Sequence, residues 1–135
     1  MKPNTKNQKG ACSELLVQAF LLKNGYNCFV PCTHNGNRDL LLEIDNHYYG
    51  VQIKGCLASY AENGRTHQRY KFNFMKNRRR HYPIESCPIF ALVCLNTNTI
   101  YFVKNTGQKQ LSIRCDKFNA ELERASFEAL IGDIS

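Results

Sequence analysis

Two apolar runs, Leu40 to Ile44 and Tyr48 to Lys54, stand on either side of the short polar link Asp45-Asn46-His47. A link of that kind between β-favouring runs predicts an antiparallel hairpin, which fixes a sheet in the middle of the chain. Helical periodicity brackets it. Ahead of the hairpin, Ala11, Leu15, Ala19 and Leu22 recur at helical spacing together with Leu16 and Phe20, and Gly25 follows as a stop. At the other end, Asn119 to Ile131 reads as an amphipathic helix, with Asn119 as its cap and Leu122, Phe127, Leu130 and Ile131 as its apolar residues.

Between these landmarks the chain alternates β-like and polar stretches. Tyr26 to Pro31 predicts a strand, Thr33 to Arg38 a polar loop, and Gly55 to Thr66 a second, glycine-bearing loop. Arg69 to Phe74 carries Tyr70, Phe72 and Phe74 on one side, and Lys76 to His81 is a basic run. Ile89 to Leu95 and Thr99 to Val103, joined by Asn96-Thr97-Asn98, predict a second hairpin, with Leu111 to Cys115 as an edge strand. No repeat or linker divides the sequence, so its 135 residues are expected to form one α/β domain, 1–135.

Charge narrows the function. Eighteen Lys and Arg against eleven Asp and Glu leave a net charge of +7, which on so small a body points to a polyanionic partner. A hydrophobic fraction of 43% excludes a disordered chain, and no apolar run approaches the roughly 20 residues that cross a bilayer, so no membrane partner is expected. Seven cysteines are an odd number at irregular spacing, and Met1 to Gly10 lacks the apolar core of a signal peptide. Reduced thiols and a cytoplasmic location are the corresponding expectation. Cys28, Cys32 and His34 have metal-like spacing, but no fourth ligand is evident.

The polar residues of the first hairpin carry the chemistry. Gln52 and Lys54 are two apart on the second strand, so their side chains share a face, while Val51 and Ile53 point the opposite way into the core. Asp39 starts the first strand and, across the hairpin, approaches that pair. Arg38-Asp39 followed by Val51-Gln52-Ile53-Lys54 resembles the D…(D/E/Q)-x-K core of the PD-(D/E)XK nuclease superfamily, and Glu14 on the first helix extends the match. The layout from Lys9-Gly10 through Asn24-Gly25-Tyr26 and Val30-Pro31 is similar to that of the small group of intron-encoded homing endonucleases with this fold.

The resemblance implies a restriction-endonuclease-like α/β core, a central mixed β-sheet flanked by helices, and a catalytic set of Glu14, Asp39, Gln52 and Lys54. Phosphodiester hydrolysis needs charge neutralised at phosphorus and an activated water, which Mg²⁺, or Mn²⁺ in its place, can supply. Asp39 and Gln52 offer side-chain oxygens and Ile53 its backbone carbonyl, with Glu14 supporting the ion from outside that set. Lys54 would hold the attacking water and offset developing charge. Gln52 departs from the commoner Asp or Glu and removes one negative charge from the ion's surroundings.

Arg65, Arg69, Lys71, Lys76, Arg78, Arg79 and Arg80 are expected to meet phosphates of double-stranded DNA, and His34, Asn35 and Arg38 to lie near the scissile bond. Cutting both strands with one site per chain favours a homodimer or homotetramer. A Holliday-junction resolvase and a catalytically silent DNA-binding module are the alternatives that the same residues permit.

Overall fold

The computed structural model describes residues 5–33, 36–57 and 69–134. Helix α1 (Lys6–Lys23) opens on a reciprocal cap: Gln8 N–H donates to Thr5 Oγ1 at 3.1 Å, and Thr5 N–H donates to Gln8 Oε1 at 3.3 Å. Gly25, at φ +85°, ends it in the left-handed region. The strands follow as β1 (Cys28–Phe29), β2 (Leu40–Ile44), β3 (His47–Cys56), β4 (Arg69–Asn73), β5 (Met75–Asn77), β6 (Arg80–His81), β7 (Ile89–Cys94), β8 (Thr99–Lys104) and β9 (Gln110–Arg114). Helix α2 (Ala120–Ile134) closes the chain.

A five-stranded sheet in the order β1-β2-β3-β7-β8 forms the frame. Strands β3 and β7 run parallel at its centre, and the other neighbours are antiparallel, so the sheet is mixed as expected. The first hairpin turns on Asp45 and Asn46, both left-handed at φ 51° and 64°, which Asp and Asn tolerate better than most residues. Strand β1 is shorter than the expected Tyr26–Pro31, and β3 continues through Gly55 and Cys56, two residues into the expected loop. Residues 58–68, which take in most of that loop, lie outside the described residues, as do His34 and Asn35.

Period-two alternation gives the sheet two cores. On one face, Val51, Ile53, Ile89, Ala91 and Val93 meet Val17 and Leu21 of α1 and Phe127 and Leu130 of α2. On the other, Phe90, Leu92 and Cys94 meet Tyr70, Phe72 and Phe74 of β4 and the side chain of Phe118. Strand β4 pairs with β9, so of the expected edge strand Leu111 to Cys115, residues 111–114 belong to this covering ribbon and not to an edge of the main sheet, and Cys115 begins a 3-10 turn. Phe74 stacks on Phe90 with centroids 4.3 Å apart and planes 9° from parallel.

Helix α1 presents a different face from the one its periodicity suggested. Ser13, Val17 and Leu21 point inward, whereas Leu15 and Leu22 are 64% and 59% exposed and Ala11 and Ala19 are also outside. Residues 11–22 are apolar almost all round, so periodicity alone cannot choose a side. Close packing chooses it: Ser13 Oγ occupies the space that a Cβ at Gly55 would need, so this pair brings helix and strand together.

Helix α2 meets its expectation. Asn119 Oδ1 accepts from the Leu122 N–H at 2.9 Å, and Phe127 and Leu130 are buried. Its polar side chains also cover the outer edge of β8, where Ile100 N–H donates to Glu123 Oε2 at 2.8 Å and Phe102 N–H to Ser126 Oγ at 3.1 Å. Among the described residues no helix is long and apolar enough to cross a membrane.

Candidate active site

The site is built where β2 begins beside β3. The ladder ends where Leu40 pairs with Val51, and the residue before β2, Asp39, stays on that same partner instead of advancing along β3. The Asp39 N–H donates to the Val51 carbonyl at 2.8 Å, and the Asp39 carboxylate accepts from the Ile53 N–H at 2.8 Å through Oδ2. A side chain thus takes the place of the next strand carbonyl, which holds the carboxylate in a fixed direction at the end of the ladder.

Backbone direction follows from the same pattern. Leu95 of the neighbouring segment donates to the Cys56 carbonyl, so even-numbered residues of β3 turn their N–H and C=O groups toward β7 and odd-numbered ones toward β2. The Ile53 carbonyl therefore points to the side of the strand where the Asp39 carboxylate sits.

Gly50, Gln52 and Lys54 share the opposite side-chain face from Val51 and Ile53, with the turn from Tyr82 to Pro88 laid across it. Gly50 is what permits that approach, because the Ser86 carbonyl oxygen and the Arg38 side chain occupy the space of a Cβ there. Asn105, only 3% exposed, clamps the turn: its Nδ2 donates to the Tyr82 carbonyl at 3.0 Å and to the Cys87 carbonyl at 2.8 Å. Cys87 is fully buried there, and burial pushes its thiol up to about 12, with the Asp39 carboxylate acting in the same direction. Weaker opposing effects come from backbone hydrogen bonding at Gln52 and Ile89 and from the Lys54 ammonium, which places the thiol among the site residues.

Lys54 is half-buried, and its Nζ donates to Tyr82 Oη at 3.1 Å and lies 4.8 Å from that ring's centroid. Gln52 is 8% exposed, and its side-chain amide makes no hydrogen bond among the described residues. The two therefore differ: the ammonium is engaged and the amide is not. Glu14 is half-buried on α1, one residue beyond the Ser13–Gly55 contact. That contact sets its backbone near the carboxyl-terminal end of β3, on the helix-covered face.

The basic residues divide into two groups. Lys76 of β5 donates to Asn37 Oδ1 at 2.6 Å, tying the β5–β6 hairpin to the loop that enters Asp39. Arg78, Arg79 and Arg80 are exposed on that hairpin, whose turn is closed by Arg79 N–H donating to Asn77 Oδ1 at 2.9 Å. The hairpin then leads through His81 into Tyr82, so it borders the site at both ends. Arg69 and Lys71 are exposed on β4, but Arg69 is spent on β9, donating to Ser112 Oγ at 2.9 Å and to its carbonyl at 3.0 Å. Arg65, His34 and Asn35 lie outside the described residues.

The donor set suits a hard divalent cation: one carboxylate, one amide oxygen and one backbone carbonyl, all oxygen. The Gln52 side chain, whose amide makes no hydrogen bond among the described residues while the residue is 8% exposed, is the observation that fits such an ion most closely. Among the described residues no cluster of three His, Cys, Asp or Glu forms an alternative metal centre. A cleft of about 350 Å³ beside Arg38, lined by Phe29, Val30, Pro31 and Leu41, includes none of Asp39, Gln52 and Lys54. Tyr82, Cys87 and Asn105 carry no signal in the sequence that would place them here, since their approach depends on the fold of the 82–88 turn.

The family model described as PD-(D/E)XK endonuclease matches residues 4–128. A solved structure, that of the bacterial homing endonuclease I-Ssp6803I, superposes with a TM-score of 0.63 at 13% identity, covering 98% of this chain and 100% of the other, and so shares its fold. No curated protein sequence matches.

Proposed function

The chain belongs to the PD-(D/E)XK endonuclease family, and on that premise we propose that it is a divalent-metal-dependent endonuclease of double-stranded DNA acting through Asp39, Gln52, Lys54 and Glu14. Nucleases of this family generally use divalent metal ions. The observation that carries the reading is the pairing of a carboxylate anchored on the Ile53 N–H with a Gln52 side chain, 8% exposed, whose amide bonds to no partner among the described residues.

In this reading Asp39, the Gln52 amide oxygen and the Ile53 carbonyl hold the ion, and Mg²⁺ is the expected occupant, with Mn²⁺ able to replace it. When bound, the ion neutralises charge on the scissile phosphate and makes water nucleophilic. The Lys54 ammonium orients that water and attracts the phosphate oxygens. Glu14 supports the arrangement from the helix side. Arg38 and the exposed arginines of the β5–β6 hairpin neutralise flanking phosphates, and the net charge of +7 draws the duplex in.

The fold shared with a homing endonuclease supports a site-specific cutter, and a symmetric assembly of two or four copies supplies one site for each strand. Incubating the protein with a plasmid library and Mg²⁺, then sequencing the new ends, tests this directly. Recurrent ends at one sequence are expected, and Asp39→Ala should give none. Cleavage of four-way junctions in preference to linear duplex would replace the homing reading with a junction resolvase. Salt-sensitive binding without cleavage in either Mg²⁺ or Mn²⁺ would mean that the chain is a silent binding module.

A further inference from the structure

Tyr82 lies outside every D…QxK position, yet its side chain is the only hydrogen-bond partner of the Lys54 ammonium among the described residues. Its place is fixed from several directions. The ring is 8% exposed and meets Phe90 edge-on at 5.9 Å, and its backbone carbonyl is held by Asn105. Phe90 in turn stacks on Phe74. A rigid aromatic wall therefore stands against the end of a long, flexible side chain.

Two contacts define what that wall does. The Tyr82 hydroxyl accepts from Nζ at 3.1 Å, while the centroid of its ring lies 4.8 Å from the same nitrogen. An ammonium on a four-carbon stem otherwise samples many rotamers, and holding it in one removes that freedom before substrate arrives. The hydroxyl accepts only one bond here, which leaves two of the three Nζ–H donors free to face a water and a phosphate oxygen.

Resting on the proposed role of Lys54, we propose that Tyr82 is the positioning residue of this site, holding the Lys54 ammonium in its working direction through the hydroxyl and the ring. Asn105 acts one step further back, by fixing the turn that carries Tyr82.

Tyr82→Phe removes the hydroxyl and keeps the ring, and Tyr82→Leu removes both. With lysine labelled at Cε with ¹³C, and the Lys54 signal assigned by its loss in Lys54→Arg, the ring should displace the Lys54 methylene resonances and rigidity should keep the two protons distinct. The two protons should merge in Tyr82→Phe, and the displacement should vanish in Tyr82→Leu, with the other lysines unchanged. In the same proteins, single-turnover cleavage by Tyr82→Phe should slow about 10- to 100-fold while duplex affinity stays within about threefold, as expected when a working group is misplaced by a fraction of an ångström.

A Lys54 signal identical in all three proteins would overturn the proposal, and so would wild-type cleavage by Tyr82→Phe. If the signal responds as expected but no DNA is cut by the unmodified protein, the pairing of Lys54 with Tyr82 holds and the nuclease reading is the part that fails.

Discussion

Gln52 and Ile53 are neighbours on β3 and almost equally hidden, at 8% and 7% exposed, yet they lie in opposite halves of the molecule. Ile53 points into the helix-covered core, packed in the cluster with Val17, Leu21 and Phe127. Gln52 points into the face shared with Asp39 and Lys54, where its amide finds no hydrogen bond among the described residues. A buried Ile is stabilising, whereas an amide that makes no hydrogen bond within the protein adds little to stability. One side of β3 is therefore built for stability and the other holds polar groups that stability alone does not explain. Substitutions on the two sides should separate folding from chemistry.

The largest effect is expected on the polar side. Asp39→Asn keeps an acceptor for the Ile53 N–H but loses the charge, and Lys54→Ala loses the ammonium. Each should lower single-turnover cleavage by about 10³-fold or more, with melting temperature changed by no more than a few degrees. On the apolar side, Ile53→Ala should cost about 2–5 kcal/mol in denaturant unfolding. What cleavage it retains, measured below its melting temperature, should show an unchanged Mg²⁺ dependence. Cleavage losses that scale with stability on both sides would break the comparison.

Much of this contrast is legible in the sequence, and the exceptions have physical reasons. The Asp45-Asn46 turn suits left-handed backbone, so the hairpin and the shared face of Gln52 and Lys54 follow from local chemistry. The orientation of α1 does not, because Leu15 and Leu22 offer as much apolar surface as Val17 and Leu21 and only the Ser13–Gly55 contact decides between them. The β5–β6 hairpin is hidden for the converse reason. Its residues are mostly polar, so no buried face imposes a period of two. Tyr82 and Asn105 act through long-range contacts, 28 residues apart for Lys54 and Tyr82, and no local pattern encodes those.

Smaller effects sharpen the outline of the polar side. Replacing Arg78, Arg79 and Arg80 together with Ala should weaken binding of all duplexes by a similar factor, about 10- to 100-fold at moderate salt. It should also flatten the slope of log affinity against log salt by roughly two to three. An unchanged slope would move the phosphate contacts off this hairpin. Glu14→Gln should have the mildest result, a loss of about tenfold in cleavage, because its backbone lies on the helix-covered face and it assists the oxygen donors from outside. A loss as deep as that of Asp39→Asn would instead make it a direct ligand.

Gln52→Met tests the central claim most directly, because methionine matches the length of glutamine and removes only the amide. Thermal unfolding and Mg²⁺-dependent plasmid cleavage should be measured on the same preparation, beside the unmodified protein. The expected result is a melting temperature equal to or above that of the unmodified protein together with at least about a 10²-fold loss of cleavage. Full cleavage at an unchanged Mg²⁺ requirement would show that Gln52 takes no part in the site and would contradict the account.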